Sequence, residues 1–402
     1  MVLSEGCQRG CWSGQGGAYH VAPLQCQIGL ECGTSFHRTI NPHGLPRMLP
    51  ARYLTLCSVL LLLVFSTWQS LAAQSPDVVK VFVLAGQSNM EGKAPNALYE
   101  HQATAEETAP AFAHLREDNQ WVERSDVFIK FGNRHGRLTL GYGSPDRTGP
   151  ELEFGHALGN HFAAPVLLIK TAWGGRSLFK DFRPPSAGLP SDEVLGEELK
   201  KAISQTQRKN EQRQSNDPLP SLDDIKAQYG NSYREMMAEV SAVAKQYQTL
   251  FPELADTRFE LSGFVWFQGW NDQYNGYEKT YEQNLAHLLD DVRTTWQRPQ
   301  LPVVIAAMGQ HGSKPVAGPM QVIQSAQLAI ASRPEFADHV QSIRTDSLVD
   351  KAAEKLYPTW KENFEVWQQT GGDHPYHYLG SAIWFNRIGR SMGEAMLELL
   401  EN

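Results

Sequence analysis

Val78-Val79-Lys80-Val81-Phe82-Val83-Leu84-Ala85, followed at once by Gly86-Gln87-Ser88-Asn89-Met90, is the stretch on which the fold turns. Lys80 is the one charged residue in an otherwise β-branched and apolar run. A half-solvated strand would alternate between apolar and polar residues; this one reads as a strand buried on both faces, as in a parallel sheet. The Gly-Gln-Ser-Asn-Met turn then falls at the strand's carboxyl end, the edge at which open α/β sheets bind ligands.

Working outward, short apolar runs recur at Asp126–Phe131, Pro165–Lys170, Leu261–Gln268, Leu301–Met308 and Val340–Thr345. Helical patterns separate them, over 151–162, 196–214, 223–250, 277–297, 320–332 and 378–400. Strands alternating with helices imply βαβ units. The expected fold is α/β: a three-layer α/β/α sandwich around a mainly parallel sheet of five or six strands, spanning residues 78–400. The segment 191–250 is long, charged and helical, broken near Asn216-Asp217-Pro218-Leu219-Pro220, and reads as a helical insertion on the surface.

All five cysteines (Cys7, Cys11, Cys26, Cys32, Cys57) precede residue 58, so the body has no disulfide framework, no thiolate nucleophile and no cysteine-bound zinc. Arg47 and Arg52 flank Met48, an apolar run follows from Leu54 to Phe65, and small residues come at Ser70, Ala72 and Ala73. That order is the order of a signal peptide, expected over 48–73, and the run is shorter than the roughly 20 residues of a membrane span. Residues 1–47 then form an N-terminal extension, with translation expected to start at Met48. The reading is an exported protein, periplasmic or secreted, without a stable membrane anchor. A net charge of −8 supplies no basic surplus for nucleic-acid phosphates.

Ser88 follows its strand through a glycine, which exposes its hydroxyl at the active edge. Met90 stands where an α/β-hydrolase elbow would have its second glycine, so the turn is not of that type. A serine nucleophile needs a histidine base, an orienting acid and oxyanion donors. Gly371-Gly372-Asp373-His374-Pro375-Tyr376-His377-Tyr378-Leu379-Gly380 gathers an acid and two histidines into a Gly/Pro-rich loop ahead of the last helix, a placement common for catalytic groups. Thr148-Gly149-Pro150-Glu151 starts a helix, with Pro preorganised there and Glu151 favoured by the dipole. Phe264-Val265-Trp266-Phe267-Gln268-Gly269-Trp270-Asn271-Asp272 carries a buried strand into a polar turn at the same edge as Ser88. Each segment alone is an ordinary turn or helix start, and their combination in this order is what is specific. No second ligand cluster with metal-binding spacing accompanies Asp373 and its histidines, so neither metal nor cofactor is expected.

The four segments together resemble the SGNH-hydrolase superfamily, and within it the sialate O-acetylesterase and acetylxylan-esterase-like group, carbohydrate esterase family six. The resemblance runs over about 78–400, and Gly-Gln-Ser-Asn-Met is its most distinctive block. It implies a flavodoxin-like three-layer fold and metal-independent removal of acetyl groups from a sugar or polysaccharide through an acetyl-serine. Carried over, Ser88 is the nucleophile, His377 the base and Asp373 its orienting acid. His377 is preferred to His374 because it opens His-Tyr-Leu-Gly before the helix, whereas His374 adjoins Asp373, where alternation points the two side chains apart. The resemblance places oxyanion donors at the Ser88 and Gly149 N–H groups and at Gln268 or Asn271. It places substrate contacts at Gln87, Asn89, Glu151, Gly174, Gly175, Arg176, Trp270 and Asp272. In Thr171-Ala172-Trp173-Gly174-Gly175-Arg176-Ser177, Trp173 joins Trp266 and Trp270 as a candidate to stack on a pyranose.

Two departures from the family pattern stand out. Trp270 replaces the glutamate of Gln-Gly-Glu-x-Asp, and three residues rather than two separate Asp373 from His377. The partner expected is an acetylated carbohydrate. Alternative readings are a non-catalytic carbohydrate-binding protein on an esterase scaffold, or a lipase- or thioesterase-like SGNH hydrolase, although that branch begins with Gly-Asp-Ser.

Overall fold

The computed structural model describes residues 78–372 and 376–401, all within one compact unit. The expected extension and signal peptide, along with Asp373 and His374, lie outside the described residues.

Strand β1 (Val78–Gly86) is central, and its residues alternate between two cores. Val79, Val81, Val83 and Ala85 enter one core, and Phe82 and Leu84 the other. A single turn of helix, α1 (Ser88–Glu91), follows it. The chain continues through β2 (Val127–Phe131), β3 (Arg134–Arg137), α2 (Glu151–His161) and β4 (Val166–Ala172). Next come α3 (Asp192–Arg213), α4 (Leu222–Gln228), α5 (Asn231–Leu250), β5 (Arg258–Phe267) and α6 (Tyr281–Thr295). The last elements are β6 (Val303–Ala307), α7 (Gly318–Ala329), β7 (Val340–Arg344) and α8 (Ala382–Glu401).

The sheet order is β7-β6-β5-β1-β4-β2-β3, seven strands in all. Every neighbouring pair is parallel except the β2–β3 hairpin. The strand beyond the expected five or six is β3, whose sequence Arg-His-Gly-Arg is polar and largely exposed. No hydrophobic period marks it, and its charges suit an edge strand that must not recruit another. Helices α5, α6 and α7 cover the Val79 face, and α2 and α8 the Phe82 face, which completes three layers. Helix α8 inserts Phe385, Ile388, Met392 and Met396 into its core at helical spacing, and truncating one such residue to Ala costs about 2–5 kcal/mol.

The expected insertion over 191–250 divides in two. Helix α3, capped by Ser191, buries only Leu195, and α4 starts with a Ser221–Asp224 capping box; both lie over a small satellite cluster of Phe179, Leu195, Ile225 and Tyr229. Helix α5 is not surface: it buries Met236, Val240, Val243 and Tyr247 in the main core. The heavily charged α3 before it masked that apolar stripe. Helix α8 also begins four residues later than its pattern suggested, because Tyr378–Gly380 form a separate turn.

Parallel pairing brings three carboxyl ends level, with Gly86 opposite Ala172 on one side and Phe267 on the other. The loops that follow β1, β4 and β5 therefore meet at one edge of the sheet.

Candidate functional site

Ser88 leaves β1 through Gly86, whose φ of 154° and close approach to β5 exclude a side chain: a Cβ there would stand 2.2 Å from the Phe267 carbonyl oxygen. The next residue, Gln87, donates its N–H to that same carbonyl. Ser88 then opens α1, so its own N–H and those of Asn89 and Met90 have no acceptor within the helix. Ser88 is 7% exposed.

The first and third sequence blocks interlock beneath it. Gln87 Oε1 accepts from Gln268 Nε2 at 3.2 Å, from the Gly269 N–H at 3.3 Å and from the Asn271 N–H at 3.4 Å. Gln268 Nε2 also donates to the Arg176 carbonyl at 3.0 Å and to Asp272 Oδ2 at 2.6 Å. The Tyr281 hydroxyl donates to Gln268 Oε1 at 3.1 Å, so this amide is engaged on both ends. Asp272 further accepts the N–H groups of Leu178 and Phe179, each at 2.8 Å, and ties the loop after β4 to the loop after β5. Burial pushes its carboxyl up to about 6, against three hydrogen bonds that favour the anion. Gln87, Gln268 and Asp272 thus form one buried polar cluster under Ser88.

The second block is equally committed. Gly149 donates its N–H to Glu151 Oε1 at 2.9 Å, and Glu151 Oε2 pairs with Lys170 Nζ at 2.7 Å, with neither side chain exposed. Gly149 meets the turn after Ser88 backbone to backbone: a Cβ on it would lie 2.6 Å from Gly92 Cα.

His377 lies in a loop of unusual backbone. His377, Tyr378 and Leu379 have φ of 56°, 56° and 59°, and Gly380 follows at 62°. Left-handed non-glycine residues cost about 1–2 kcal/mol each, so the turn needs anchors. The Tyr378 hydroxyl supplies one, accepting the Gly309 N–H at 3.1 Å and bonding Thr345 Oγ1 at 2.8 Å. Its ring packs 5.4 Å from Phe267, the residue whose carbonyl holds Gln87. Gly372 supplies another, donating to the Leu379 carbonyl while its own carbonyl accepts from Trp367 Nε1. Trp270 meets Tyr376 edge to face at 6.3 Å, so the residue that replaces the family's glutamate touches the His377 loop.

Beside Ser88, Gly174 and Gly175 are exposed, and a Cβ on Gly174 would lie 3.9 Å from Ser88 Cβ and 3.3 Å from Glu91 Oε2. Gly174 lines a cleft of about 760 Å³ over the ends of β2 and β4, flanked by α5. Trp173, Arg176, Asn133, Glu235 and Glu239 stand in its wall. Trp266, a candidate for stacking on sugar, is 0% exposed and donates to the Tyr281 hydroxyl; strand alternation points it into the main core, so it is a packing residue. Asn89 is 2% exposed, and its Oδ1 has no protein partner. Among the described residues no group of three or more His, Cys, Asp or Glu is arranged to hold a metal, and no helix is long and apolar enough to cross a membrane.

Lys170 and Tyr378 were not singled out by sequence reasoning. A signal existed for Lys170, a lysine closing an apolar strand; Tyr378 looked like the first residue of a helix.

A serine turn and a histidine loop that lie at the carboxyl edge of a parallel α/β/α sheet, each packed against the end of β5 and the loop after it, form a layout suited to ester hydrolysis. The sequence matches the family described as carbohydrate esterase, sialic acid-specific acetylesterase, over residues 78–217 and 220–355, and the chain belongs to that family of carbohydrate acetylesterases. The match ends before the His377 loop. A comparison with curated proteins returns no significant match. Among solved structures, the chain is similar to a protein from Arabidopsis thaliana at 16% identity and a TM-score of 0.44, covering 80% of this chain and 98% of that one. It is similar to a carbohydrate acetylesterase from Xanthomonas citri at 14% identity and 0.41, covering 80% of this chain and 56% of that one. It is also similar to NanS at 14% identity and 0.37, covering 67% and 79%.

Proposed function

We propose that this chain is an exported carbohydrate O-acetylesterase that works through Ser88, His377 and Asp373. The observation that carries this reading is that Ser88 opens α1 next to Gly174 of the cleft wall, at the same sheet edge where Tyr378, the neighbour of His377, packs on Phe267 and is anchored by Gly309 and Thr345. His377 takes the Ser88 proton as the hydroxyl oxygen bonds to the acetyl carbon. The intermediate collapses, the sugar oxygen leaves with that proton, and an acetyl-serine remains. His377 then takes a proton from water, which attacks the acetyl carbon and releases acetate, and Ser88 recovers its proton. Asp373 holds the imidazole in the useful tautomer.

The developing oxyanion is assigned to the free N–H groups at the start of α1, Ser88 and Asn89, with the Asn271 side chain as the third donor. The Gly149 N–H and the Gln268 amide are assigned to positioning, since Glu151 and the Gln87–Asp272 cluster occupy them. The absence of a side chain at Gly174 leaves room beside Ser88 for a short acyl group.

The cleft is suited to a sugar without charge. Lys170 is matched by Glu151 and Arg176 is held by Asp181 through Nη1, with its buried Nε unpartnered, while Glu91 pairs with Lys93 and Glu239 with Lys130. A sugar carboxylate would want an uncommitted Arg or Lys. Asn133, Glu235 and Trp173 instead offer hydroxyl partners and an aromatic face.

The test is labelling by a fluorophosphonate probe, followed by acetate release from O-acetylated neutral oligosaccharides and O-acetylated sialic acid. Labelling at Ser88 and faster release from the neutral sugars are expected. No labelling, or full aryl-acetate hydrolysis by Ser88→Ala, sinks the mechanism and favours the carbohydrate-binding reading prompted by Trp270.

A further inference from the structure

Lys170 is a lysine with no exposed surface, near the carboxyl end of a core strand. Its ammonium has three protons and three acceptors: the Glu91 carbonyl at 2.8 Å, the Tyr142 carbonyl at 2.9 Å and Glu151 Oε2 at 2.7 Å. Burying such a pair is a poor way to stabilise a fold, because desolvation consumes most of the attraction; an apolar pair of similar volume is often as stable or more so. The position of the three acceptors suggests another purpose. Glu91 is the last residue of α1, three beyond Ser88. The other oxygen of Glu151 holds the Gly149 N–H, and Gly149 packs against Gly92, directly after α1. The contacts close a ring from Ser88 through Glu91, Lys170, Glu151 and Gly149 back to Gly92.

We propose that Lys170 is a positioning residue, which clamps the far end of the nucleophile's helical turn to the Gly149 loop through Glu151. In this role it fixes the direction in which the Ser88 hydroxyl and amide face the ester. The inference rests on Ser88 being the nucleophile. Nothing in it requires Lys170 to touch substrate or exchange a proton.

The experiment compares the full chain with the double variant Lys170→Met/Glu151→Gln, which removes both charges at once and leaves neither stranded. The amide introduced by Glu151→Gln can still accept the Gly149 N–H. On p-nitrophenyl acetate, kcat is expected to fall about tenfold to a hundredfold, the scale of a displaced reacting group, with KM nearly unchanged. The melting temperature is expected to fall modestly, since the Glu91 and Tyr142 carbonyls lose their donor, and kcat is therefore read on the folded fraction. A merely structural pair would also lower Tm but leave kcat of the folded fraction intact; wild-type kcat in the folded double variant overturns the proposal. Should the double variant not fold, Glu151→Gln alone serves. Its amide can keep Gly149 but then turns a donor toward Lys170, so kcat should fall several-fold, and an unchanged kcat again overturns the idea. The wild-type chain is labelled first with a fluorophosphonate: a Ser88 that resists the probe overturns the esterase reading itself, and this inference with it.

Discussion

Ser88 stands at the end of a strand with parallel neighbours on both sides, whereas His377 stands in a left-handed turn between the last strand and the last helix. The direction of Ser88, the proposed nucleophile, is set by sheet register, by a glycine pressed against the Phe267 carbonyl and by the Gln87–Gln268–Asp272 cluster. The direction of His377, the proposed base, is set by a few side-chain anchors, chiefly Tyr378, on a backbone that is unfavourable at three consecutive residues. Rigid scaffold on one side and anchored loop on the other is a common division in active sites. It predicts that substitutions around Ser88 act through chemistry or outright unfolding. Those around His377 should act through geometry.

The comparison breaks most visibly at the base itself. His377→Ala should lower kcat for an aryl acetate by at least about four orders of magnitude, the scale for loss of a member of a serine triad, with little change in melting temperature. His374→Ala, two residues after the buried Gly372, should cost far less. Steady-state kinetics on the two variants decides between them. If His374→Ala carries the larger loss, the base has been assigned to the wrong histidine, and the anchoring role of Tyr378 loses its meaning.

The same contrast explains what the sequence made legible. The β1 run is apolar because both its faces are buried, so the central strand and its terminal serine announce themselves. Gln87 and Asp272 were visible as polar residues at the right edge, but whether such a residue meets substrate or its neighbours depends on loops that are far apart in sequence. Gln87 and Gln268 are 181 residues apart and share a hydrogen bond; no local pattern encodes that. Helix α5 was misjudged because it was read together with the heavily charged α3 before it, which masked its own stripe of Tyr233, Met236, Val240, Val243 and Tyr247. The turn at Tyr378–Gly380 was misjudged for a different reason: Tyr and Leu are ordinary helix residues, and only the buried Thr345 and Gly309 partners hold them elsewhere.

Tyr378→Phe sharpens the contrast at intermediate size. It keeps the ring against Phe267 and removes only the hydroxyl, which leaves the Gly309 N–H without its acceptor. Stability should fall by about 1–3 kcal/mol, the cost of an unpaired buried polar group. The loop should also loosen, so that kcat drops by up to about a hundredfold while fluorophosphonate labelling at saturating probe remains at Ser88. Thermal unfolding and kcat measured on the same preparation check this; a stability loss without any loss of kcat would show that the base does not depend on this anchor.

The smallest expected effect belongs to the rigid side and is read against pH. Burial raises the Asp272 carboxyl from its ordinary 3.8 to about 6. Between those values the folded chain holds a proton that the unfolded chain has released, so stability should fall as pH rises from about 4 to about 6, then level off. Asp272→Asn cannot titrate and should lack that contribution, whatever its baseline stability after losing acceptor capacity for Leu178, Phe179 and Gln268. Melting curves of both proteins across this window, at fixed ionic strength, give the difference in slope directly. Parallel curves would mean that the three N–H donors outweigh burial and keep Asp272 ionised throughout. In that case the cluster under Ser88 is a fixed anion across this range.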